Sequence, residues 1–472
     1  MHAGPESAHP VSSGAFMIHG SLSFSRALVL PILTLAGLSG CGGGSGSQGN
    51  LGPPPPPPPS PVKILNSYDG ASGPGYKDHP DPSGAVGPNH VVDFVGADFI
   101  VRDKATGSIL HQETQTQFWS GLGVAPGILN DPRIVFDPLS QRWFAVNAGP
   151  YIFMAVSSDS NPLNPWQGVV VSTIIQGDLL PRVGVDVNGI YVCGYGVVNT
   201  TNTANCFVMP KADVLWSGAT KISLARLKTF TNLPYELFPA TDFNPNKAST
   251  DPEIFLTRQG GQNVSSPVPF VLLMNKVTWT GAVPQMSATM TIPTAMMYDT
   301  PGSAPQPSGP PIRGVEDHRL FNVFGTGSSV FTATGSNING RIGIVWFEVS
   351  AAGAIVQQGT IASSSYDALF PTITADANRN VAIGFTKVSA SEFASSYVAV
   401  RLSADAPGTL RAPVLLASGN AAYQCSANPV GWGTYSSTVV DPSAPLVLWT
   451  FQEYAHSSTS CQWSTRWVSF SL

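Results

Sequence analysis

A strand, turn and strand pattern recurs from residue 81 to the end of the chain. Each copy has an apolar run, a turn residue and a second β-type run, as in Pro132-Arg-Ile-Val-Phe-Asp137 before Arg142-Trp-Phe-Ala-Val146. The turn residues stand at 87, 137, 186, 244, 325, 376 and 441, so successive copies are 50, 49, 58, 81, 51 and 65 residues apart. Periods of about 40–50 residues with room for four strands are typical of β-propeller blades. The sequence therefore predicts an all-β fold, a β-propeller of four-stranded blades, with seven favoured and six or eight as alternatives.

Two unrelated β-sandwiches are the alternative fold, but they would not explain a shared turn motif. The composition agrees with blades: only 11% of residues are charged, and Gly (47) and Pro (42) are abundant. Face-to-face blades bury strand residues on both sides, so few charged positions are needed. With a net charge of −5 and a pI near 5.9, we expect no nucleic-acid partner.

The N-terminal segment predicts export. Arg26 precedes the apolar run at 27–36, and Leu38-Ser39-Gly40-Cys41 follows, resembling a bacterial lipobox. By that resemblance residues 1–40 are a signal peptide, with Met17 as the expected initiator, and Cys41 is lipidated. An ordinary cleaved signal with a chance cysteine is the alternative.

A spacer is expected between the anchor and the folded body. Residues 41–64 contain a Gly/Ser tract and seven prolines, Pro53 to Pro59, which form a stiff rod. The propeller is expected to span residues 65–472. Because Gly42 is not the acidic retention signal of inner-membrane lipoproteins, the resemblance favours an anchor in the bacterial cell envelope at the outer membrane or cell surface. We also expect the protein to be a monomer.

The other four cysteines predict disulfides in an exported protein. Three pairings are possible. The local one, Cys193 with Cys206 and Cys425 with Cys461, is preferred because a hairpin turning near residue 199 would place the first two opposite each other.

Several motifs resemble one family. They are Asp81-Pro-Ser-Gly-Ala-Val-Gly-Pro-Asn-His90, Asp131-Pro-Arg-Ile-Val-Phe-Asp137 with Arg142-Trp143, and Trp432-Gly-Thr-Tyr-Ser-Ser437 with Thr465-Arg466. They resemble uncharacterised exported bacterial β-propeller lipoproteins, loosely grouped with sialidase-like propellers. The family usually has Trp-Gly-Asp-Tyr where this chain has Thr434, so the role of that carboxylate is lost or moved here.

The resemblance to sialidase-like propellers implies a set of site residues. Sialidases use a tyrosine nucleophile and an arginine cluster that binds the substrate carboxylate. The catalytic candidates are Arg319, Arg466, Tyr435, Asp317 and Glu453. Asp131 and Glu236 are further acidic residues that could lie near them. The ligand-binding candidates are Arg133, Arg182 and Trp432. Alternatively, these charges pair with one another at blade edges, and Trp432, Trp449, Trp463 and Trp467 form core.

No cofactor or metal is expected from the spacing of His, Cys and acidic residues. The segment Asp376-Ala-Asn378-Arg-Asn380 begins like a calcium loop but has Val381 in place of the required Gly, so a hairpin turn is favoured over structural calcium. The leading functional hypothesis is a propeller that binds a glycan or an envelope protein at its central face. The alternatives are a sialidase-type glycoside hydrolase or a lyase, and a scaffold without a small ligand.

Overall fold

The structure is a computed structural model. It describes residues 58–74, 80–127, 129–172, 180–198, 201–260, 263–314, 319–425, 427–457 and 459–472. The chain divides into two units, Met1–Pro55 and Pro56–Leu472. The first unit, with the expected signal peptide, Met17 and Cys41, lies outside the described residues.

The second unit is built almost entirely of strands. The first third contains β1 (Lys63–Pro74), β2 (Ser83–Val86), β3 (His90–Val95), β4 (Asp98–Asp103), β5 (Ile109–Thr114), α1 (Gln115–Gly121), β6 (Asn130–Asp137), β7 (Arg142–Ala148), β8 (Ile152–Ser157) and β9 (Trp166–Ser172). The middle contains β10 (Arg182–Val185), β11 (Gly189–Val198), β12 (Thr201–Pro210), α2 (Lys211–Val214), β13 (Lys228–Leu233), β14 (Phe238–Pro239), β15 (Thr241–Asp242), β16 (Glu253–Arg258), β17 (Val268–Thr280), β18 (Val283–Met286) and β19 (Met290–Tyr298).

The last third has the same character. It contains β20 (Ser303–Ala304), β21 (Ile312–Arg313), β22 (Val323–Gly325), β23 (Ser329–Ile338), β24 (Arg341–Ser350), β25 (Ile355–Ile361), β26 (Asp367–Ala375), β27 (Val381–Ser389), β28 (Glu392–Arg401), β29 (Val414–Ala417), β30 (Ser437–Asp441), β31 (Ala444–Tyr454) and β32 (Gln462–Ser471). Strand β1 thus begins at Lys63, close to the expected start of the folded body at residue 65.

The strands form antiparallel meanders arranged as a β-propeller. Five sheets follow a path of four hydrogen-bonded strands and form five blades. They are β2-β3-β4-β5, β6-β7-β8-β9, β14-β16-β17-β18 with β19 added on β17, β26-β27-β28-β29, and β30-β31-β32-β1. The first strands of neighbouring meanders, together with β15, contact one another in a closed circle, in the order β2, β6, β10, β15, β22, β26, β30 and again β2. The first strand of the remaining meander, β14, contacts β10. The predicted all-β propeller is confirmed.

The predicted count of seven four-stranded blades is wrong. The structure has five, because the other two meanders, β10 to β13 and β22 to β25, belong to one continuous sheet of nine strands. The short strand β15 fuses them by pairing in parallel with both, through Val185 opposite Thr241 and Thr241 opposite Phe324. The repeat period in the sequence indicates how many meanders there are, but it does not indicate that β15 joins two of them into one sheet.

The N-terminal strand completes the last blade. Strand β1 pairs antiparallel with β32 from Lys63 opposite Ser471 to Pro74 opposite Gln462. This pairing covers the edge of β32 and joins the beginning of the described body to its end. The covered edge cannot pair with another chain, and the circle of blades is closed by hydrogen bonds.

The turn residues of the repeat join neighbouring meanders. Asp137 accepts from the backbone N–H of Leu139 at 3.0 Å and from Lys211 Nζ at 2.6 Å. Asp186 lies 3.1 Å from Lys247 Nζ, and Asp441 accepts from Lys104 Nζ at 2.7 Å. Each carboxylate thus caps its own turn or strand end and pairs with a lysine from another part of the ring. Asp376 makes the same type of turn, accepting from the N–H groups of Asn378 and Asn380 at 2.9 Å, as the hairpin interpretation expects.

Both predicted disulfides are present with the local pairing. Cys193 and Cys206 lie directly opposite each other on β11 and β12, and Cys425 joins Cys461. The four tryptophans of the C-terminal region are core residues, none more than 3% exposed. No helix in the described ranges is long and apolar enough to span a membrane.

Candidate functional site

The site lies where the first strands begin, at the centre of the ring. We call the residues just before the first strand of a meander its lead-in. Six residues other than glycine have a positive φ at a lead-in or at a bulge of a first strand: Asp81 (51°), Asp131 (54°), Leu180 (31°), Glu236 (57°), Phe370 (50°) and Thr434 (70°). They stand two residues before Ser83, Arg133, Arg182, Phe238, Thr372 and Ser436. Left-handed backbone costs such residues about 1–3 kcal/mol each and persists where the surrounding fold imposes it, often at functional sites. The repetition makes this a feature of the ring rather than of one loop.

Tyr435 is the centre of the polar cluster. Arg319 Nη1 donates to its hydroxyl at 2.6 Å, and the hydroxyl donates to Asp131 Oδ1 at 2.8 Å. The guanidinium carbon of Arg133 lies 3.4 Å from the centre of the Tyr435 ring, so the cation packs against the ring face. Since Tyr435 is 1% exposed, both its hydroxyl and its ring are enclosed.

Arg182 adds a third buried guanidinium. Its Nη1 donates to the backbone oxygen of Leu180 at 3.0 Å, and its Nη2 lies 3.5 Å from Glu236 Oε1. Arg182 is 1% exposed and Glu236 is fully buried. The ion pair is therefore formed away from water, where attraction between the charges is strong but desolvation is costly.

The electrostatics of the three arginines differ. Burial, reinforced by the charges of Arg182 and Arg319, lowers the pKa of Arg133 to about 10. Burial also lowers the pKa of Arg182, although Glu236 opposes the shift. For Arg319, burial is outweighed by attraction to Tyr435, Glu236 and Asp131, and its pKa is raised.

Arg133 differs from its two neighbours in its partners. Its Nε donates to the backbone oxygen of Pro181 at 3.2 Å, and it forms no ion pair with any carboxylate in the described part of the chain. The side chain is nevertheless 93% buried, since only 7% is exposed. A buried guanidinium with so few acceptors marks a place where an anion would be stabilised.

A cavity of about 260 Å³ adjoins Arg133. Its wall is formed by the first strands and runs from Ser83 and Arg133, near their beginnings, to Pro138, Pro442 and Pro445 in the turns that follow them. Most of the wall is apolar, with Phe, Val and Pro side chains. The cavity is therefore a central channel, with the polar cluster at one end.

The other candidates from the sequence are placed as follows. Arg466 lies on β32 and binds Asp69 of β1 at 2.6 Å, two strands outward from β30, or about 10 Å. The structure thus brings Arg133, Arg182, Arg319 and Tyr435 together but leaves Arg466 in an outer ion pair. Glu453 Oε2 accepts from the N–H of Gly433 at 2.6 Å.

Trp432 is fully buried and donates to Thr386 Oγ1 at 3.1 Å, so it contributes packing and a hydrogen bond within the core. Asp317 lies outside the described residues. Among the described residues, no group of three or more His, Cys, Asp or Glu side chains could bind a metal ion.

Sequence reasoning missed Asp81, which acts electrostatically on both Arg319 and Tyr435. The signal was the Asp-Pro pair shared by Asp81-Pro82 and Asp131-Pro132, which stands two residues before Ser83 and Arg133, respectively. Thr434 occupies the corresponding position before β30. This position therefore carries a hydroxyl group where Asp81 and Asp131 carry carboxylates.

Comparisons with known proteins add little to this geometry. No family model and no curated protein matches the chain. The solved structures similar to it include a Synechocystis apocarotenoid oxygenase mutant, 10% identical, covering 71% of each chain, with a TM-score of 0.40. An ulvan lyase of a new polysaccharide lyase family is 8% identical over 70% of this chain and 80% of its own, with a TM-score of 0.41. A protein of unknown function from Dyadobacter fermentans is 7% identical over 87% and 99%, with a TM-score of 0.40. Similarity at this level says nothing about activity or ligand.

Proposed function

We propose that this chain is a lipid-anchored propeller of the bacterial cell envelope that binds a ligand through an anionic group at the centre of its ring. One observation carries the binding proposal: Arg133 is buried beside a cavity of about 260 Å³ and lacks a carboxylate partner within the described residues. An anionic ligand would supply the missing acceptor. An acidic glycan and the carboxylate end of an envelope protein both meet this requirement.

The binding test uses the full chain with Cys41→Ser, which removes the expected lipidation site so that the protein stays in solution. Acetate, glucuronate, N-acetylneuraminate and phosphate are titrated by calorimetry, with their uncharged alcohol or amide analogues as controls. We expect at least one anion to bind and Arg133→Met to weaken it at least tenfold. The matched control is Arg142→Met, because Arg142 lies at the start of β7 and, among the described residues, donates only to nearby backbone oxygens at 3.3–3.4 Å. Absence of binding by every anion would refute the proposal.

The anchor is tested separately by growing cells with radiolabelled palmitate. We expect label on the wild-type chain in the membrane fraction and none on Cys41→Ser. Equal membrane recovery of both proteins without label would refute lipidation at Cys41. It would leave the binding proposal untouched.

A second candidate function is glycan cleavage of the sialidase or lyase type. The contact of Arg319, Tyr435 and Asp131 favours it, since a tyrosine between an arginine and a carboxylate is suited to proton transfer. Burial, opposed by Arg319, raises the pKa of Tyr435, and Arg133 covers the ring, so a tyrosinate nucleophile is disfavoured. Release of reducing ends from sialosides or acidic polysaccharides, lost in Tyr435→Phe, would favour the enzyme over the binding protein.

A further inference from the structure

The central channel has one charged end and an apolar wall. Aromatic side chains from three parts of the ring line it, namely Phe238 of β14, Phe243 after β15, and Phe321 and Phe324 at β22. At about 260 Å³ it exceeds the roughly 150 Å³ of an apolar protein cavity that accommodates benzene and approaches the roughly 300 Å³ of small ligand pockets. A molecule with one ring, or with a short alkyl chain, fits this space.

Most of the other polar side chains of the wall already have hydrogen-bond partners among the described residues. Thr372 Oγ1 lies 3.0 Å from Ser436 Oγ and 2.9 Å from Thr438 Oγ1, and Ser437 Oγ accepts from the N–H of Gly84 at 2.9 Å. Asp441 bonds Lys104 and the indole of Trp449. A sugar would require several free hydrogen-bonding groups along the wall, because its hydroxyls lose water on entry. The described wall is better suited to an apolar body.

Arg133 offers the remaining donors. A guanidinium has five N–H groups, and the one on Nε is used by the backbone oxygen of Pro181. No hydrogen bond from Nη1 or Nη2 to another described residue is present. The Tyr435 ring packs against the face of the Arg133 guanidinium. The edge of the guanidinium, with its Nη1 and Nη2 groups, is therefore left for a bidentate carboxylate.

We propose that the channel binds a monocarboxylate with an apolar body, its carboxylate on Arg133 and its body along the aromatic wall. This inference rests on the proposed function and narrows its ligand class. Entry is from the end formed by Pro138, Pro442 and Pro445, because the opposite end is filled by Tyr435 and by the Arg182 and Glu236 pair.

The test is a calorimetric series on the full Cys41→Ser chain with acetate, butanoate, hexanoate, octanoate and 3-phenylpropionate. Octanol and glucuronate serve as references, one without the charge and one without the apolar body. We expect affinity to rise about fourfold for each methylene that is buried until the channel is filled. Octanol and glucuronate should each bind at least tenfold more weakly than octanoate.

Two variants locate the ligand. Arg133→Met should weaken octanoate at least tenfold without changing octanol, whereas Val439→Phe, which narrows the channel, should weaken both. Circular dichroism checks that each variant is folded. If Arg133→Met fails to fold, the methylene series on the parent chain and Val439→Phe still decide the question.

The two proposals fail differently. Equal affinity for acetate, glucuronate and octanoate, all dependent on Arg133, would overturn the apolar-body inference and leave anion binding standing. Octanoate binding that Arg133→Met and Val439→Phe do not change would overturn the assignment of the channel. Failure of every anion to bind would overturn both.

Discussion

Tyr435 and Asp131 are joined by a hydrogen bond of 2.8 Å, with the tyrosine hydroxyl as donor. Tyr435 lies two residues before β30, the first strand of the last blade, and Asp131 is the second residue of β6. Because Arg319, ahead of β22, donates to the same hydroxyl, one side chain links three parts of the ring. The centre of the propeller is therefore tied by polar contacts as well as by apolar packing.

Replacing Tyr435 by Phe should destabilise the fold. The ring would still pack against Arg133, but Asp131 would lose a donor and Arg319 an acceptor, both inside the protein. We expect a loss of about 1–3 kcal/mol, measured as a lower urea midpoint. Tyr151→Phe is the control, because Tyr151 is 39% exposed and its variant should unfold like the parent chain. Equal midpoints for the two variants would contradict a stabilising role for the central hydroxyl.

Replacing Lys211 by Met should weaken the link between two meanders. The substitution leaves the fully buried carboxylate of Asp137 without its lysine. Removing one partner of a buried pair costs about 3–5 kcal/mol, which thermal unfolding would show directly. Arg226→Met breaks an exposed pair with Asp213 and should have no measurable effect. A result in which both variants unfold at the same temperature would show that the turn carboxylates are dispensable.

The two disulfides should contribute unequally. Their cysteines are 13 and 36 residues apart in sequence. In the chain-entropy model, closing loops of these lengths adds about 3 and about 4 kcal/mol, respectively. Serine replacement of the Cys425 and Cys461 pair should therefore lower the unfolding temperature more than replacement of the Cys193 and Cys206 pair. The opposite order would show that loop length does not govern their effect.

Binding of a carboxylate at Arg133 should weaken at both low and high pH. Burial lowers the pKa of Arg133 to about 10, so the side chain is cationic below that pH and loses its charge above it. The ligand carboxylate loses its charge below about 4.3, the value for a glutamate-like group. Affinity should be constant between about pH 6 and 9 and fall outside this range. Titrations at several pH values on Cys41→Ser would test it, and an affinity unchanged through pH 11 would rule out Arg133 as the charged contact.

Repeat position explains which of the candidate residues lie close together. Four candidates stand at repeat lead-ins: Arg133, Arg182, Arg319 and Tyr435. Because the ring brings the first strands together at its centre, residues at this shared position in the repeat lie close in space. Arg466 had the same residue type but a different place, on the third strand of its blade, and was bound there by Asp69. Residue type and repeat position must both match before a charge can be expected at the centre.

By itself the sequence determined the all-β fold, the meanders and their turn residues, and it favoured the local pairing of the four cysteines. These features depend on local patterns: alternating strands, turn residues and short loops. Tertiary structure decided the five four-stranded blades, the fusion through β15 and the pairing of β1 with β32, because these pairings join segments far apart in the chain. It also decided that Arg182 has a carboxylate partner while Arg133 has none among the residues that the structure describes, since burial and charge pairing depend on which side chains the closed ring brings into contact.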